Sequence, residues 1–577
     1  MIWYLDDPGR SRAERDAIDA LASASPWLVP LGWRVDESVR LIFDAQIVTP
    51  HQTYPVSVRY PAHFPHSPPV VLPPKGSRRW SYHQYGDDGE LCLEYGPDNW
   101  QPHLSGADMI SSAYRLLSGE GPSKRNTVEV ASRHALTLGQ GVRGKVWRML
   151  VTEDMRIAAA ALPDEAWVAV DFVGLYTGDA LVYVPATIKG KDGSSVEDPS
   201  VPEPIRTEQT VRPGVLLRWP HQLPLPSTDS AEPLRAVLHA RGVDTPSVVT
   251  VVLAHGPDFN AVYLCDEGST IPFTLINMNP TQRRVAPEYA VLAGKTIALV
   301  GCGSLGSKIA ITLARAGLGH FLLVDDDILL PENLVRNDLD WREIGAHKAV
   351  SLARRIKLVN PRATCKTRQY RLGGQESSGN IETLIGSLSK CDLIIDATAS
   401  AAAFNYLTAA AIYGKKPLLW AEIFGGGFGG LIARHRPGLE PDPMAMRSAI
   451  ENWCAEQGKT YPKASRYDAT QEISPMLASD ADVGVIAASA ARLAEDTLLG
   501  TDPSVFPYSV YLIGLKEAWV FNAPFDTQPI DVGPPAPTSE VLPVDAAVAE
   551  DEKARIRALF QRFIDENTPP AEPAAAS

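Results

Sequence analysis

The C-terminal half of the chain alternates short apolar runs with longer amphipathic segments. The runs KTIALVG, HFLLVDD, CDLIIDAT and KPLLWAEI each have the length of a buried strand, and helical periodicity fills the intervals between them. Such alternation is typical of βαβ units, in which helices cover a mostly parallel sheet. The pattern therefore predicts an α/β domain over residues 286–525.

Three other regions are predicted around this domain. Residues 1–120 combine a charged amphipathic helix, strand-like alternation in VRLIFDAQIV and YPVSVRY, and a second helix that ends at Gly119, which is an α+β pattern. Residues 121–285 are β-rich and carry no motif of known chemistry. Residues 526–577 hold a charged helical stretch between flanks rich in proline and alanine, which predicts a flexible tail with a helix. The chain is therefore expected to be multidomain.

Composition narrows the class of protein. At 577 residues the chain exceeds the size of one hydrophobic core. No apolar run reaches the roughly 18 residues that span a bilayer, and the first residues lack the basic-then-apolar pattern of a signal peptide. The net charge of -14 disfavours the nucleic-acid backbone as a direct partner. We therefore expect a cytoplasmic protein with no membrane and no direct nucleic-acid partner.

One strand–turn–helix segment, KTIALVGCGSLGSKIAITLARAG, contains three glycines in G-x-G-x-x-G spacing: Gly301, Gly303 and Gly306. In a Rossmann-like fold this turn lets backbone N–H groups approach phosphate, and the N-terminus of the following helix favours the negative charge. The usual ligand of the motif is a dinucleotide.

The residues after the next strand change that interpretation. They place two acids, an amide and two cations where they can reach one crevice: Asp325, Asp327, Asn333, Arg336 and Lys348. A dinucleotide needs one acid for a ribose, whereas a triphosphate also needs Mg²⁺ and positive charge. Asp325 is thus expected to bind a ribose, and Asp327 to help place Mg²⁺. Arg336 and Lys348 can neutralise phosphate charge.

The order GCGSLG, DDD, NLVR and GAHK resembles that of the ThiF-type adenylyltransferases and the ubiquitin-activating enzymes built on them. The resemblance implies that ATP is bound by the glycines, by the polar residues named above, Asn333 included, and by Asp396 in IIDATAS. It also implies that the C-terminal glycine carboxylate of a small protein is adenylated and that the chain is a homodimer. Family members often bring an arginine across the dimer interface, for which Arg283 and Arg284 are candidates.

One position departs from that family. Its second metal-binding acid follows a later strand in a D-x-x-D pattern, and Ala399 stands at that place here. Either Asp396 binds Mg²⁺ together with Asp327, or the activity is weakened. A simple strand-end cap is an equally open interpretation of Asp396.

The six cysteines include no Cys-x-x-Cys pair, so neither a zinc ribbon nor a disulfide framework is predicted. Each is a packed thiol or a reactive one. Cys454, in AMRSAIENWCAEQG, lies where ubiquitin-activating relatives carry the cysteine that takes the acyl group from the adenylate. The alternative is a helix cysteine packed beside Trp453.

The N-terminal region contains three elements at a characteristic spacing. FPHSPPVVLPP precedes GELCL, which contains Cys92, and Trp100 follows in a Trp-x-Pro triplet. This combination resembles the ubiquitin-conjugating enzymes, which implies that Cys92 is a second thioester carrier. The family's His-Pro-Asn is replaced by YHQY, so the asparagine that stabilises the oxyanion is missing. Possible substitutes are Tyr82, His83, Gln84 and Asn99, and an ordinary loop histidine is an equal alternative for His83.

A conjugating domain followed by an activating domain resembles the CD-NTase-associated conjugating proteins of bacterial type II CBASS antiphage systems. The resemblance implies that ATP and Mg²⁺ activate a protein C-terminus, which passes to Cys454, to Cys92 and then to a target lysine. The activated protein would be a cGAS-like nucleotidyltransferase. Three alternatives stay open: conjugation of a bacterial ubiquitin-like protein, activation of a sulfur carrier, and a non-catalytic scaffold.

Overall fold

The computed structural model describes residues 2–119 except 82 and 87, residue 139, and residues 142–190, 193–278, 285–373, 378–462, 478–535 and 545–567. Two compact units divide the chain, Met1–Gly144 and Lys145–Ser577. The division into four regions by sequence stays a prediction.

The first unit is an α+β structure. Its helices are α1 (Trp3–Asp6), α2 (Pro8–Ala24) and α3 (Gly106–Gly119). Its strands are β1 (Leu28–Val35), β2 (Leu41–Val48), β3 (Thr53–Arg59), β4 (Val70–Leu72), β5 (Gln84–Tyr85) and β6 (Glu90–Leu91). The first four strands form an antiparallel sheet in the order β1-β2-β3-β4, and β5 pairs with β6.

A buried glutamate joins the helices of this unit to its sheet. Glu14 of α2 accepts hydrogen bonds from the Tyr60 hydroxyl (2.9 Å) and from the backbone N–H of Gly106 (2.7 Å), and it pairs with Arg10 (2.8 Å). A Cβ on Gly106 would lie 2.0 Å from that hydroxyl oxygen, so only glycine can start α3 this close to the sheet.

The second unit begins with a mixed sheet in the order β14-β13-β12-β11-β8-β9-β7-β15, with β10 paired to β9. Its strands are β7 (Trp147–Val151), β8 (Trp167–Tyr176), β9 (Leu181–Lys189), β10 (Ser195–Glu197), β11 (Val211–Trp219), β12 (Thr250–His255), β13 (Asp258–Leu264), β14 (Thr270–Pro272) and β15 (Thr274–Asn277). The helices are α4 (Glu153–Ala161), α5 (Glu203–Glu208) and α6 (Ala231–His239).

A further sheet of this unit has the order β18-β17-β16-β19-β20-β21-β22-β23. Its strands are β16 (Thr296–Val300), β17 (His320–Val324), β18 (Thr364–Arg368), β19 (Leu393–Asp396), β20 (Leu418–Ile423), β21 (Gly429–His435), β22 (Val510–Gly514) and β23 (Thr527–Ile530). The helices are α7 (Ser304–Ala316), α8 (Lys348–Val359), α9 (Ser378–Leu388), α10 (Ala401–Gly414), α11 (Pro443–Glu456), α12 (Asp480–Leu499) and α13 (Ala546–Asn567). Short 3₁₀ helices cover Pro287–Gly294, Pro331–Val335 and Trp341–Glu343.

Only part of this sheet is parallel. Strands β18 to β20 are parallel, whereas β20 to β23 are antiparallel. The five-residue connection between β20 and β21 is too short for a parallel crossover, so the chain turns back on itself. Helices α7, α8 and α12 cover one face, and α9, α10 and α11 cover the other.

Charged pairs hold α5 of the mixed sheet against α8. The Arg354 guanidinium donates to Glu208 (2.9 Å from Nε to Oε1), and Lys357 pairs with Glu203. Because α8 begins at Lys348, the mixed sheet supports the helix that carries a predicted phosphate-binding residue. In the described chain, no helix is both long enough and apolar enough to cross a membrane.

Candidate active site

The glycine turn between β16 and α7 is closely packed on one side and open on the other. Gly301 has φ +91°, and a Cβ there would lie 2.8 Å from the carbonyl oxygen of Ala397. A Cβ on Gly306 would lie 1.9 Å from the carbonyl oxygen of Gly301. Gly303 precedes the first residue of α7, and a Cβ there would meet nothing within 4 Å. The open side adjoins a helix N-terminus, which fits a phosphate group.

Asp325 ties the end of β17 to this turn. Its carboxylate accepts hydrogen bonds from the backbone N–H of Cys302 (2.6 Å) and of Asp327 (2.9 Å). Burial raises the pKa of Asp325, and these two bonds oppose the rise. A carboxylate offers roughly four acceptor sites, so Asp325 retains capacity for a ribose hydroxyl.

Asp327 and Lys348 form an ion pair. The backbone N–H of Lys348 also donates to the carbonyl of Asp327 (2.9 Å), so the start of α8 is fixed beside the acidic segment. Lys348 is only 8% exposed, whereas the Asp327 side chain is largely exposed. A bound phosphate would compete with Asp327 for the Lys348 ammonium group. If the phosphate displaced Asp327 and the ion pair opened, the Asp327 carboxylate would become free to bind Mg²⁺.

The segment after the acids packs against the turn through a residue that the sequence analysis missed. Asn333 accepts a hydrogen bond from the Leu330 N–H (3.0 Å), and half-buried Arg336 follows the same short helix. The next residue, Asn337, is buried and donates from Nδ2 to the carbonyl of Cys302 (3.3 Å). Its place directly after the NLVR motif was the available signal.

Asp396 ends β19 and is 4% exposed. Its carboxylate accepts from the backbone N–H (2.9 Å) and the hydroxyl (2.7 Å) of Thr398, so the predicted strand-end cap is present. Burial raises its pKa to about 6. Within the residues that the structure describes, no group of three or more His, Cys, Asp or Glu side chains could hold a metal ion. Mg²⁺ usually takes only one or two protein carboxylates besides substrate phosphates, so Asp396 fits that ion.

A cavity of 470 Å³ lies beside Asp396, and its lining includes four charged residues that the sequence analysis missed: Glu422 of β20, Arg447 and Glu451 of α11, and Lys459. Burial raises the pKa of Glu422 to about 7; nearby Arg447 opposes that rise and Asp396 adds to it. The lining comes from four separate segments of the chain, so no short motif signals it.

Cys454 corrects one expectation. The side chain is 0% exposed and packs in the core between α11 and the sheet. Burial, with a smaller contribution from Glu451, raises the pKa of the thiol to about 11. A nucleophilic cysteine needs an accessible sulfur and a lowered pKa. The structure thus conflicts with a thioester at Cys454 and supports the packed alternative.

Cys92 of the first unit is half-buried. Its backbone N–H donates to the carbonyl of His83 (2.7 Å). The Trp100 indole N–H donates to the carbonyl of Pro65 (2.7 Å), and its ring lies 6.1 Å from that of Phe64. The proline-rich turn and the Trp-x-Pro triplet are therefore in contact.

Two of the four expected oxyanion donors are used within the loop itself. The Gln84 amide accepts from the backbone N–H of Trp80 (2.6 Å) and donates to the carbonyl of Gly89 (2.8 Å). The Asn99 amide bridges Gly96 N–H and the Glu94 carbonyl. Both amides thus have structural hydrogen bonds within the loop, and the choice of oxyanion donor among the four residues stays a prediction.

Tyr82, Arg283 and Arg284 lie outside the described residues. The neighbouring Tyr85 donates its hydroxyl to Glu90, two residues before the cysteine. Burial, with Glu90, raises the pKa of Tyr85 above its usual range.

Comparison with known proteins finds relatives of the C-terminal region. Residues 281–509 match the ThiF family. The sulfur carrier protein ThiS adenylyltransferase of Escherichia coli K12 is 31% identical over 142 residues, which cover 24% of this chain and 53% of that protein. Among solved structures, E. coli MccB with ATP is 15% identical and covers 44% of this chain and 68% of that one, with a TM-score of 0.33; a likeness this distant supports no further argument.

These matches indicate the class of the C-terminal region: it is similar to the ThiF-type adenylyltransferases. Among particular proteins, the chain resembles the ATP-dependent ubiquitin transferase-like protein Cap2 of Pseudomonas aeruginosa, at 33% identity over 120 residues. That match spans a fifth of each protein, 20% of this chain and 20% of Cap2. The predicted resemblance to ThiF-type activating and conjugating proteins is confirmed.

Proposed function

We propose that this protein uses ATP to activate the C-terminal glycine carboxylate of a partner protein and joins it, through a thioester on Cys92, to a target lysine. The observation that carries the proposal is the open glycine turn with Asp325 and Lys348 at its rim, within a ThiF-type region. The Cap2 relative, described as an ATP-dependent ubiquitin transferase-like protein, supports the conjugating step.

Activation is an acyl-adenylation. A carboxylate oxygen attacks the α-phosphorus of ATP, the new P–O bond forms, and the bond to the β-phosphate breaks to release pyrophosphate. The N-terminus of α7 and the Lys348 ammonium stabilise the charge on the phosphates, and Asp325 orients the ribose. Asp327 and Asp396 would hold Mg²⁺, which supplies further positive charge when bound.

Transfer follows from the chemistry of the adenylate. The Cys92 thiolate attacks the acyl carbon, a thioester forms, and AMP leaves with the bonding electron pair. A lysine amine then attacks the thioester, an amide forms, and the thiolate is released as the amine loses a proton. The order of elements in the first unit, a helix, four antiparallel strands, a cysteine loop and a helix, favours a ubiquitin-conjugating fold.

The partner is inferred from the resemblance to type II CBASS conjugating proteins, which favours a cGAS-like nucleotidyltransferase and a role in antiphage defence. A bacterial ubiquitin-like protein would undergo the same chemistry. We further propose a cytoplasmic homodimer. A second candidate function is sulfur-carrier activation, which the ThiS adenylyltransferase match favours. That function has no use for Cys92, so the cysteine separates the two.

The test is an adduct assay with the full chain, ATP·Mg²⁺ and candidate substrate proteins encoded by neighbouring genes, a cGAS-like nucleotidyltransferase first among them. Non-reducing gels should show an ATP-dependent, thiol-sensitive adduct that Cys92→Ala abolishes. Cys265→Ala is the matched control, because Cys265 is also half-buried and has no proposed role. Cys454→Ala should keep the adduct, since its thiol is buried. An adduct that persists in Cys92→Ala, or no adduct with any neighbour-encoded protein, contradicts the proposal.

A further inference from the structure

The tail helix α13 carries an exposed apolar stripe. Its large apolar side chains follow the i, i+3, i+4, i+7, i+8 spacing that places them on one face of a helix. They are 45–65% exposed: Ile556, Leu559, Phe560, Phe563 and Ile564. At roughly 100 Å² for each side chain, the stripe exposes about 500 Å². A continuous apolar patch of this size marks an interaction surface.

The charges of α13 indicate what kind of surface covers the stripe. The helix has five acidic and four basic residues, whereas helices that lie on membranes have polar faces rich in lysine and arginine. The charges also come in blocks: three acids at 550–552, cations at 553, 555, 557 and 562, and two acids at 565–566. A partner whose charges alternate in the same way fits this helix better than a lipid surface does.

One pair of these charges has the same centre as the apolar stripe. Arg555 and Glu566 are eleven residues apart, close to three helical turns, so both lie in line with Leu559 at one edge of the stripe. The midpoint between them falls next to Phe560, which is also the midpoint of the stripe. A second α13 that packs antiparallel about this point covers the stripe with its own stripe and places each arginine opposite the glutamate of the other helix. A parallel pair in register would instead place like charges opposite each other, which is unfavourable.

We propose that α13 binds α13 of a second copy of this chain, antiparallel, with Phe560 at the centre of the contact. The two stripes together bury about 1,000 Å², which is the lower limit of a specific interface. Helices in proteins gain most of their stability from the packing of an amphipathic face, and the pair supplies that packing. The inference concerns the tail and does not depend on the proposed adenylation. A dimer formed through other parts of the chain would raise the effective concentration of one tail for the other.

The orientation of the pair is tested by photo-crosslinking of the full chain. The photoreactive amino acid p-benzoyl-phenylalanine replaces Phe563; after irradiation a denaturing gel measures the cross-linked dimer, and mass spectrometry identifies the residues that are joined. We expect the label to join residues 556–557 of the second copy, which an antiparallel pair places opposite it. The same label at Gln561 is the control and should give at least 10-fold less dimer, because the Gln561 amide donates to Asp565 (2.9 Å) on the side away from the stripe.

An exchange of charges tests the pairing of Arg555 with Glu566. Arg555→Glu or Glu566→Arg places like charges opposite each other twice in the symmetric pair and should lower the cross-linked fraction about 5-fold. The double variant restores opposite charges and should regain the wild-type fraction. Asp565→Arg is the matched control, because it makes the same charge change one position away, on the side of the helix that the pair leaves exposed.

A change at the centre of the contact completes the test. Phe560→Glu should abolish the cross-linked dimer, since it would bury a charge between the two stripes. The urea midpoint of unfolding, followed by tryptophan fluorescence, should not change in these variants, because every tryptophan lies outside α13. The inference is overturned by the absence of a dimer from position 563, by a cross-link to residue 563 of the second copy, by a cross-link to a segment outside α13, or by a double variant as weak as the single ones.

Discussion

Substitutions at two glycines of the glycine turn can separate effects on protein stability from effects on nucleotide binding. Gly303→Ala places a methyl group on the open side of the turn, where it meets no protein atom within 4 Å. Gly306→Ala places a methyl group 1.9 Å from the Gly301 carbonyl oxygen. The first change fills space that a phosphate would use, and the second disturbs the protein itself.

The expected magnitudes follow from these contacts. Gly303 has φ -72°, which alanine adopts readily, so Gly303→Ala should change the free energy of unfolding by no more than about 0.5–1 kcal/mol. Gly306→Ala forces the turn away from α7, at a cost of about 1–3 kcal/mol, of which the better helix propensity of alanine offsets about 0.5–1 kcal/mol. For ATP, Gly303→Ala should raise the dissociation constant at least 10-fold, or about 1.4 kcal/mol.

The assay combines urea unfolding, followed by tryptophan fluorescence, with calorimetric titration of ATP·Mg²⁺ into the full chain. Gly303→Ala should unfold at the wild-type urea concentration and bind ATP weakly. Gly306→Ala should unfold earlier. If Gly303→Ala binds ATP as tightly as the wild type, the phosphates do not lie against the open side of the turn, and the placement of the nucleotide is wrong.

Three further outcomes test other parts of the second unit. The Arg434 guanidinium lies 2.6 Å from the buried carboxylate of Asp496. Arg434→Met leaves that carboxylate without its counter-charge and should lower the free energy of unfolding by about 3–5 kcal/mol in urea. A loss below about 1 kcal/mol would contradict this. Glu422 binds its proton more tightly in the folded protein than in the unfolded chain, so its contribution to stability falls as the pH rises from 4.5 to 7. Glu422→Gln should therefore reduce the dependence of the free energy of unfolding on pH over this range. An unchanged dependence in urea unfolding at several pH values would refute the assignment. Lys348→Met should weaken ATP binding at least 10-fold in calorimetry. Lys357→Met is the control on the same helix and should leave ATP binding unchanged. Similar effects of the two substitutions would count against a contact between Lys348 and a phosphate.

The glycine turn between β16 and α7 could be predicted from sequence because its determinants are local. Three glycines, a strand before them and a helix after them lie within one short segment. Gly301 and Gly306 are required by close contacts with Ala397 and within the turn itself, whereas Gly303 faces open space. The acids and cations were predictable for the same reason, since the carboxyl ends of parallel strands meet at one edge. Asn337 escaped notice because a buried amide has no periodic signal.

The fate of Cys454 could not be predicted, because reactivity depends on which face of a helix is covered. Position along the chain placed it where relatives carry a nucleophile, but α11 turns that face into the core. Gln84 shows the same limit. Its residue type suits an oxyanion donor, yet its amide forms hydrogen bonds with Trp80 and Gly89 of its own loop. The antiparallel half of the sheet depends on strand register and on a short connection, which the apolar pattern of the strands does not encode.

The ion pairs between α5 and α8 bear on how such chains can be recombined. Glu203 and Glu208 stand five residues apart, and they meet Lys357 and Arg354, which stand three apart on a helix running from Lys348. A foreign segment inserted in place of the mixed sheet would need carboxylates at the same separation to receive α8. The mixed sheet and the nucleotide domain are therefore expected to be inherited as a pair, and hybrids between distant relatives should be cut before residue 145 rather than between the two sheets.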